Sequence, residues 1–254
     1  MKIIASYNIK GGVGKTATVV NLGYLAAAEG WRCLIWDLDP QGAASFYFRI
    51  KPKVKSGAKG LFERKRELAD VIKGTDFDNL DLIPADFSYR NMDLLLQDGK
   101  SPVQRLHKLL KPFAKEYDYI LLDCPPSISL VSESIFYAAD ALLIPMIPTT
   151  LSMRTLEQFL KFRKSHDLMQ LNIMPFFTMV DMRKNLHRLL VENPPLHEPA
   201  FLKSKIPYAS EVEQMGIHRA PLFSFAAHSR GAQAYRLLWE EVKERLHDEN
   251  RRLG

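Results

Sequence analysis

The chain has 254 residues, a formal net charge of +6 and only two cysteines, Cys33 and Cys124, each inside an apolar run. This length suits one large α/β core and is short for two, and the moderate positive charge permits a polyanionic partner without requiring one. A disulfide-rich secreted protein and a membrane-spanning protein are not expected, because the start has no signal-peptide pattern and no apolar run approaches about 20 residues.

Short apolar runs alternate along the chain with segments of helical periodicity. The apolar runs are rich in β-branched residues and almost continuous in apolar character, which is typical of parallel strands buried on both faces. The predicted strands are residues 2–7, 33–37, 80–84, 119–123, 141–145, 173–180 and 201–206. The predicted helices are residues 15–29, 60–73, 88–96, 102–116, 129–138, 152–167, 185–192, 210–215 and 231–248.

This alternation predicts the fold class. Strands that alternate with helices are joined by right-handed crossovers, which place helices on both faces of one sheet. We therefore expect an α/β protein with a doubly wound, mostly parallel sheet, in a single domain over residues 1–254.

A glycine-rich segment joins the first predicted strand to the first predicted helix. It reads SYNIKGGVGKTATVV from Ser6 onward, and the glycines let backbone N–H groups approach an anion at a helix N-terminus. Lys15 would place its charge on the outer phosphates of a nucleotide, and the Thr16 hydroxyl is positioned for Mg²⁺. The predicted phosphate-binding residues are Gly11, Gly12, Val13, Gly14, Lys15, Thr16 and Ala17. Ile9 stands where the usual pattern has its first glycine, and a second lysine, Lys10, follows it.

Carboxylates follow two further predicted strands. The run YDYILLD ends at Asp123, and the run CLIWDLDPQG carries Asp37 and Asp39 into a turn. Ligands in such sheets bind at the carboxyl ends of the strands, so these side chains are expected beside the phosphate loop. Asp123 would hold Mg²⁺ through a water, and Asp39 would orient the attacking water or the loop around it. Cys124 is interpreted as a small buried residue, since no histidine partner lies nearby in sequence.

Residues 49–66 form an unusually basic stretch after the second strand. They include eight lysines and arginines and one acid, Glu63, so their net charge is 8 − 1 = +7. A solvated loop and an anion-binding site are both consistent with this composition. The aromatic residues Phe46, Tyr47 and Phe48 precede the stretch and predict either helix packing on the sheet or a partner-facing patch.

Taken together, these motifs resemble the ParA/MinD family of deviant-Walker ATPases, and within it the ParA-type partition ATPases without an N-terminal helix-turn-helix domain. The segment KGGVGKT is similar to the deviant Walker A motif with its signature lysine, DLDPQG to the switch I motif, and LLDCPP to Walker B and switch II. The closing segment HSRGAQAYRLLWEEV is similar to the last sequence block of ParA proteins. The resemblance covers nearly the whole chain.

The resemblance implies an ATP-dependent switch with Mg²⁺ as its metal ion. Members form an ATP-sandwich dimer in which the signature lysine, here Lys10, reaches the phosphates of the partner subunit. The implied catalytic residues are Lys10, Lys15, Asp39 and Asp123, and the implied metal-binding residues are Thr16, Asp39 and Asp123. Such dimers bind non-specific DNA, and an adaptor protein on the cargo activates their slow hydrolysis of ATP. A cytoplasmic, nucleoid-associated protein without stable membrane association is expected.

The resemblance also indicates residues outside the phosphate site. Adenine would be bound by loops after the late strands, and the candidate residues are Thr178, Pro207 and Tyr208. In ParA proteins the C-terminal half provides most of the basic surface for DNA. The candidate DNA-binding residues are Arg183, Lys184, Arg188, Lys203, Lys205 and Arg219.

Two other functions stay open at this stage. A MinD-like positioning ATPase would associate with a membrane through a short amphipathic tail beyond the last helix. Within the last predicted helix, Ala234, Leu237, Leu238, Val242 and Leu246 follow helical spacing, a stripe more typical of a face docked on the core. A small-molecule ATP-dependent synthase would have the same phosphate loop. It would not need to bind DNA, which distinguishes it from the partition ATPases.

Overall fold

Eight strands form one sheet in the computed structural model, which describes residues 1–55, 57–62, 68–97, 101–194 and 199–253, with side chains as far as residue 247. The strands are β1 (Lys2–Ser6), β2 (Cys33–Asp37), β3 (Lys73–Gly74), β4 (Leu80–Ile83), β5 (Tyr119–Asp123), β6 (Ala141–Met146), β7 (Asn172–Val180) and β8 (Lys205–Pro207). Their spatial order is β3-β4-β2-β5-β1-β6-β7-β8. All neighbouring strands are parallel except β3 and β4, which confirms the predicted doubly wound, mostly parallel sheet.

The helices lie along the chain between these strands. They are α1 (Lys15–Ala28), α2 (Ala43–Tyr47), α3 (Gly57–Phe62), α4 (Met92–Gln97), α5 (Arg105–Leu110), α6 (Leu130–Ala138), α7 (Thr150–Ser165), α8 (Asn185–Glu192), α9 (Ser210–His218) and α10 (Arg230–Leu253). Five 3₁₀ turns accompany them, at Leu68–Val71, Phe87–Asn91, Pro102–Gln104, Lys111–Lys115 and Leu222–Ser224. Among the described residues, none of the helices combines the length and apolar character that a membrane-spanning helix needs.

The central strands bury alternate residues in two different hydrophobic clusters. On β2, Leu34 and Trp36 belong to one cluster, whereas Cys33 and Ile35 belong to the other. Because successive side chains of a strand point to opposite faces, the two clusters lie on opposite faces of the sheet. This double burial explains why the strands read as continuous apolar runs in the sequence.

The chain between β2 and β4 differs most from the sequence-based expectation. The predicted helix over residues 60–73 is wrong at its end, because Lys73 pairs with Leu82 of β4 in a short antiparallel ladder. The described part contains α3 and a 3₁₀ turn instead, and residues 63–67 lie outside the described residues. The short helix α2 was not predicted as a separate element. Pairing at the sheet edge and packing on the core, both non-local, decide these conformations.

The parallel register brings the carboxyl ends of three strands together. Ser6 of β1 is the register partner of Asp123 of β5, and Asp37 of β2 is the register partner of the same Asp123. The segment that leads into α1 starts directly after Ser6. The predicted phosphate loop and the predicted carboxylates therefore meet at one edge of the sheet.

Candidate functional site

The loop from Asn8 to Gly14 is shaped for close approach of an anion. Gly12 and Gly14 have positive φ angles of 70° and 93°, a conformation that L side chains rarely adopt. A Cβ atom placed on Gly11 or Gly12 would have no neighbour within 4 Å, so open space lies over this part of the loop. Gly14 is the N-cap of α1 and has no side chain to cap the helix. The first N–H groups of α1 therefore lie at a helix N-terminus that suits phosphate.

Two side chains, one from β7 and one from the loop itself, hold the loop in place. The Thr178 hydroxyl of β7 donates a hydrogen bond of 2.9 Å to the Val13 carbonyl. The Asn8 amide donates to the Pro145 carbonyl at 2.9 Å, and its side-chain oxygen accepts from the Lys10 N–H at 2.9 Å. Asn8 is a supporting residue that no sequence motif indicated. These contacts fix the loop without occupying its anion-facing surface.

Lys15 lies inside this loop. Its side chain is buried, with 7% of the residue exposed, and its Nζ donates to the Lys10 carbonyl at 3.1 Å. Burial lowers the pKa of the Lys15 ammonium, whereas the nearby charges of Asp123 and Asp39 act in the opposite direction. An ammonium group held in this way has few partners for its charge, which favours binding of an anion in the loop.

Asp123 is the most deeply buried carboxylate of the site. It is 0% exposed, and its carboxylate oxygens form no hydrogen bond of normal length with a described residue, although the Thr16 hydroxyl acts on them as a weak donor. Burial raises the pKa of Asp123 well above its usual value, and the neighbouring Asp37 raises it further, while Thr16 and Lys15 act to lower it. Buried polar atoms without partners are rare in native proteins, so this pair of oxygens indicates a missing ligand.

Asp37 forms a second buried carboxylate beside Asp123. Its Oδ2 accepts hydrogen bonds from the Ser45 backbone N–H at 2.8 Å and from the Ser45 hydroxyl at 2.7 Å, while its Oδ1 has no partner among the described residues. Burial raises the pKa of Asp37 to about 6, and the Asp39 charge also raises it. Asp37 was noticed in the sequence but not assigned a role. In the structure Asp37 is the register partner of Asp123, so the two buried carboxylates lie side by side.

Asp39 lies in the turn after β2, where it is partly exposed. Its Oδ1 accepts from the Gln41 N–H at 2.9 Å, and its carbonyl accepts from the Gly42 N–H at 2.9 Å. These two bonds fix the turn and leave Oδ2 without a hydrogen-bond partner among the described residues. The geometry thus allows Asp39 to orient a water molecule near the loop.

Lys10 differs from Lys15 in what its side chain contacts. It lies on the loop next to the exposed Ile9 and is itself partly exposed. Only its backbone groups are engaged, and its ammonium has no hydrogen bond or ion pair within the part of the chain that the structure describes. Its charge is therefore available to a group outside this subunit.

These residues fit a nucleotide with a magnesium ion. The open glycine cradle fits phosphate, and a bound cation would neutralise the buried oxygens of Asp123 and Asp37 that form no hydrogen bond. Within the described ranges, no group of three or more His, Cys, Asp or Glu side chains is arranged to hold a metal ion. Mg²⁺ usually keeps waters and binds through one or two protein groups together with substrate phosphates, which suits this sparse set of ligands.

The candidate adenine-binding residues lie in different environments. Thr178 is buried under the loop, and its hydroxyl is already used to hold Val13. Pro207 ends β8, and Tyr208 follows it with 56% of the residue exposed. The Tyr208 hydroxyl donates to Glu213 at 2.9 Å, which leaves the face of its ring accessible. Adenine binding by these residues stays a prediction.

Most candidate DNA-binding arginines already have partners within the chain. Arg183 pairs with Asp181 at 2.9 Å and lowers the pKa of that carboxyl to about 2. Arg188 donates to Asn185 Oδ1 at 3.0 Å. Lys184, Lys203 and Lys205 are exposed, and none has a side-chain partner among the described residues. DNA binding by this group stays a prediction.

Arg219 holds the helix that follows the carboxylates. Its Nε donates to the Phe46 carbonyl at 3.1 Å, and its guanidinium lies 4.6 Å from the centre of the Phe46 ring. Arg219 has a positive φ of 49°, a conformation uncommon for a residue with a Cβ atom. Phe48, two residues after Phe46, is buried in the core, so the aromatic segment is partly core and partly surface.

The apolar stripe of α10 is docked on the core. Ala234, Leu238, Val242 and Leu246 belong to the second hydrophobic cluster, and Leu237 is exposed. Trp239 of the same helix donates to Glu29 at 3.1 Å, and Lys243 pairs with Glu29 at 2.8 Å. The apolar stripe is thus explained by packing against the body of the protein.

Comparison with known proteins identifies relatives over most of the chain. Residues 1–173 match a family model described as an AAA domain. The chain is 34% identical to the sporulation initiation inhibitor protein Soj of Bacillus subtilis, across 95% of this chain and 98% of that protein. It is 30% identical to the chromosome partitioning protein ParA of Myxococcus xanthus, across 96% of this chain and 88% of that protein.

Solved structures share the same fold. One is the cobyrinic acid a,c-diamide synthase of Mycobacterium smegmatis with bound ADP and magnesium. It superposes with a TM-score of 0.80 and 26% identity, covering 94% of this chain and 93% of that chain. A form of the same synthase with a bound ATP analogue and magnesium superposes equally well, with a TM-score of 0.80.

Proposed function

Because this chain belongs to the ParA/MinD family of deviant-Walker ATPases, we propose that it is a dimerising switch that binds non-specific DNA in its ATP form and positions a cargo over the nucleoid. The chain is an ATPase, and ATP and Mg²⁺ are its cofactors. In the proposed cycle, an adaptor protein on the cargo stimulates a slow hydrolysis, which separates the dimer and releases it from DNA. One ATPase domain over residues 1–254, in the cytoplasm, would perform this cycle.

The unpaired ammonium of Lys10 is the observation that carries the proposal. A loop that only binds a nucleotide has a sufficient cation in Lys15, which is buried within the loop. Lys10 adds a second cation whose side chain has no partner in the described part of its own subunit. A cation that reaches the phosphates of a second subunit acts only when two subunits meet, which couples the nucleotide state to dimerisation.

The other residues of the site have complementary roles. The loop N–H groups at Gly11 to Ala17 and the Lys15 ammonium bind and neutralise the phosphates. Thr16 and Asp123 would hold Mg²⁺, which would neutralise charge that develops on the phosphates, and Asp37 would support them through its own carboxylate. Asp39 orients the attacking water.

Binding of DNA by the dimer follows from the number of cations that it presents. Dimerisation doubles the basic surface, and each lysine or arginine that contacts a phosphate adds to counterion release. A subunit that binds DNA weakly therefore becomes a dimer that binds it strongly. The candidates in the second half are Arg183, Lys184, Arg188, Lys203, Lys205 and Arg219.

Binding of fluorescent duplex DNA tests this proposal directly. Anisotropy is measured with ATP, with ADP and without nucleotide over a range of salt concentrations, and light scattering reports the dimer under the same conditions. We expect a dimer and tight DNA binding with ATP alone, with an affinity that falls steeply as salt rises. DNA binding that is indifferent to the nucleotide would refute the switch.

A small-molecule ATP-dependent synthase is the second candidate function. The overlap with the cobyrinic acid a,c-diamide synthase, at a TM-score of 0.80 and 26% identity, favours it. Such an enzyme has no need to bind DNA. An ATP-bound dimer that hydrolyses ATP and shows no affinity for duplex DNA at low salt would support this second function over the first.

A further inference from the structure

We infer that the lysine loop, which we define as residues 51–55, is a second contact surface for the phosphates of duplex DNA, separate from the candidates in the second half of the chain. The inference rests on the proposed DNA-binding function. It concerns Lys51, Lys53 and Lys55, which are exposed.

The three lysines of this loop form no ion pair with an acidic group, although the charge of Lys53 acts on the nearby Asp86 carboxylate. Residues 49–55 and 57–62 include five lysines and arginines and no acidic residue. Lys51, Lys53 and Lys55 form neither a hydrogen bond nor an ion pair with any described residue. Arg183, by comparison, is bound to Asp181 through two nitrogens, at 2.9 and 3.0 Å. The lysine loop therefore offers its charges without first breaking an internal pair.

The backbone of the lysine loop is fixed although its side chains are exposed. Val54 is 3% exposed and belongs to the first hydrophobic cluster. Its N–H donates to Asp86 Oδ2 at 2.8 Å, and a few residues later the Ala58 N–H donates to the Ser88 hydroxyl at 2.8 Å. A fixed backbone lowers the conformational entropy that the loop backbone gives up on binding a ligand, which favours a binding surface over a solvated loop.

The fixed base also lies against the switch I motif. A Cβ atom placed on Gly42 would lie 2.9 Å from Pro52 Cβ, so the lysine loop packs directly on the residue that ends DLDPQG. Ser45 links the same region to the buried carboxylates, because its hydroxyl donates to Asp37 and accepts from the Ala85 N–H at 2.9 Å. A change of nucleotide at the carboxylates would thus act on the segment that supports the lysines.

The chemistry of the surface favours DNA over a membrane. A membrane-binding segment presents apolar residues that enter the lipid, whereas Val54, Ala58, Leu61 and Phe62 are all buried. Lysines are compact charges on flexible stems, and the contacts that they make to phosphates carry no sequence information directly. This composition suits a ligand that is recognised by its phosphate charge and not by its sequence.

Two triple variants of equal charge test the inference. One replaces Lys51, Lys53 and Lys55 by glutamine. The control replaces Lys108, Lys111 and Lys115, which are exposed and have no proposed role, in the same way. Anisotropy of a fluorescent duplex is measured with ATP as a function of salt for both variants and the wild type. The ATPase rate without DNA shows that each variant is folded and is expected to stay unchanged.

We expect the lysine-loop variant to bind all DNA sequences more weakly, and to the same extent. The slope of log K against log salt should fall by about 0.9 for each phosphate that the variant no longer touches, whereas the control keeps the wild-type slope. Equal slopes for the two variants would overturn the inference while leaving the proposed function intact. A wild-type chain that does not bind DNA with ATP would overturn both.

Sedimentation with phosphatidylserine vesicles tests the membrane alternative. Lysine-dependent binding to vesicles but not to DNA would also overturn the inference.

Discussion

The phosphate site and the cationic surfaces of this chain place their charges in opposite ways. At the phosphate site the charged groups are few and buried, with Lys15 7% exposed and Asp123 0% exposed. On the cationic surfaces they are many and exposed, and the Arg183 side chain is 88% exposed. A buried charge needs a partner, so it indicates a ligand directly, whereas an exposed charge is stable in water and indicates a ligand only when its surroundings leave it unpaired.

The same contrast divides the cationic residues among themselves. Arg183 and Arg219 are bound to groups of their own chain, whereas Lys51, Lys53 and Lys55 form no hydrogen bond or ion pair with a described residue. A count of basic residues treats the two kinds alike. The structure separates charges that hold the protein together from charges that are available to a ligand.

The largest effect is expected from Lys10→Ala. This change should lower the ATPase rate by roughly 10³-fold or more, because the variant lacks the cation proposed to act in trans, in the manner of an arginine finger. Nucleotide binding, measured by titration calorimetry, should persist through Lys15. Lys161→Ala, which changes an exposed lysine of α7, serves as the control. A normal rate in the Lys10 variant would show that the lysine does not act between subunits.

Asp39→Ala is expected to have the next largest effect. Removal of a group that orients the attacking water lowers the rate by about 10²–10⁴-fold. Since the loop, Lys10 and Lys15 are retained, the variant should form a long-lived dimer on DNA with ATP, which is measured as a slow off-rate. The matched control is Asp70→Ala, because Asp70 is exposed and has no proposed role. Rapid release of the Asp39 variant would place the catalytic carboxylate elsewhere.

Ser45→Ala tests the hydrogen bonds that join Ser45 to the buried carboxylate of Asp37 and to the Ala85 N–H. The change removes one donor to Asp37 and the acceptor of the Ala85 N–H, which are both buried. Leaving such groups unpaired costs about 1–3 kcal/mol, so urea denaturation should show a lower free energy of unfolding by that amount. Ser165→Ala, at an exposed helix end, should change it by less than about 0.5 kcal/mol. Equal stability of the two variants would contradict the role of Ser45.

Arg219→Ala is expected to have the smallest effect, and it tests whether a cation that is bound within its own chain also contacts DNA. Removal of the guanidinium from the Phe46 ring should lower the free energy of unfolding by about 0.5–1 kcal/mol, measured by urea denaturation. Because the guanidinium already contacts Phe46, the salt dependence of DNA binding should be unchanged, and that result would remove Arg219 from the candidate DNA-binding residues. A fall of the salt slope by about 1 would instead assign Arg219 to the DNA surface.

The sequence was most informative where the functional groups are contiguous. Gly11 to Thr16 form the loop through their own backbone, so the pattern predicted the position of Lys15 and the start of α1 without reference to the rest of the chain. Alternating apolar runs likewise predicted the sheet. The helix predicted over residues 60–73 was wrong at its end, because pairing of Lys73 with β4 is a contact at the sheet edge that no local pattern shows.

The fold class, the glycine loop from Gly11 to Thr16 and the strand ends near Asp37, Asp39 and Asp123 could be predicted from the sequence. These follow from local backbone preferences and from the period of apolar residues, both of which can be read along the chain. Three contacts could not be predicted in this way: Ser45 binds Asp37, Arg219 contacts Phe46, and Val54 anchors the lysine loop. The physical reason is that these contacts join residues on separate elements, so their partners are set by the packing of the sheet and helices.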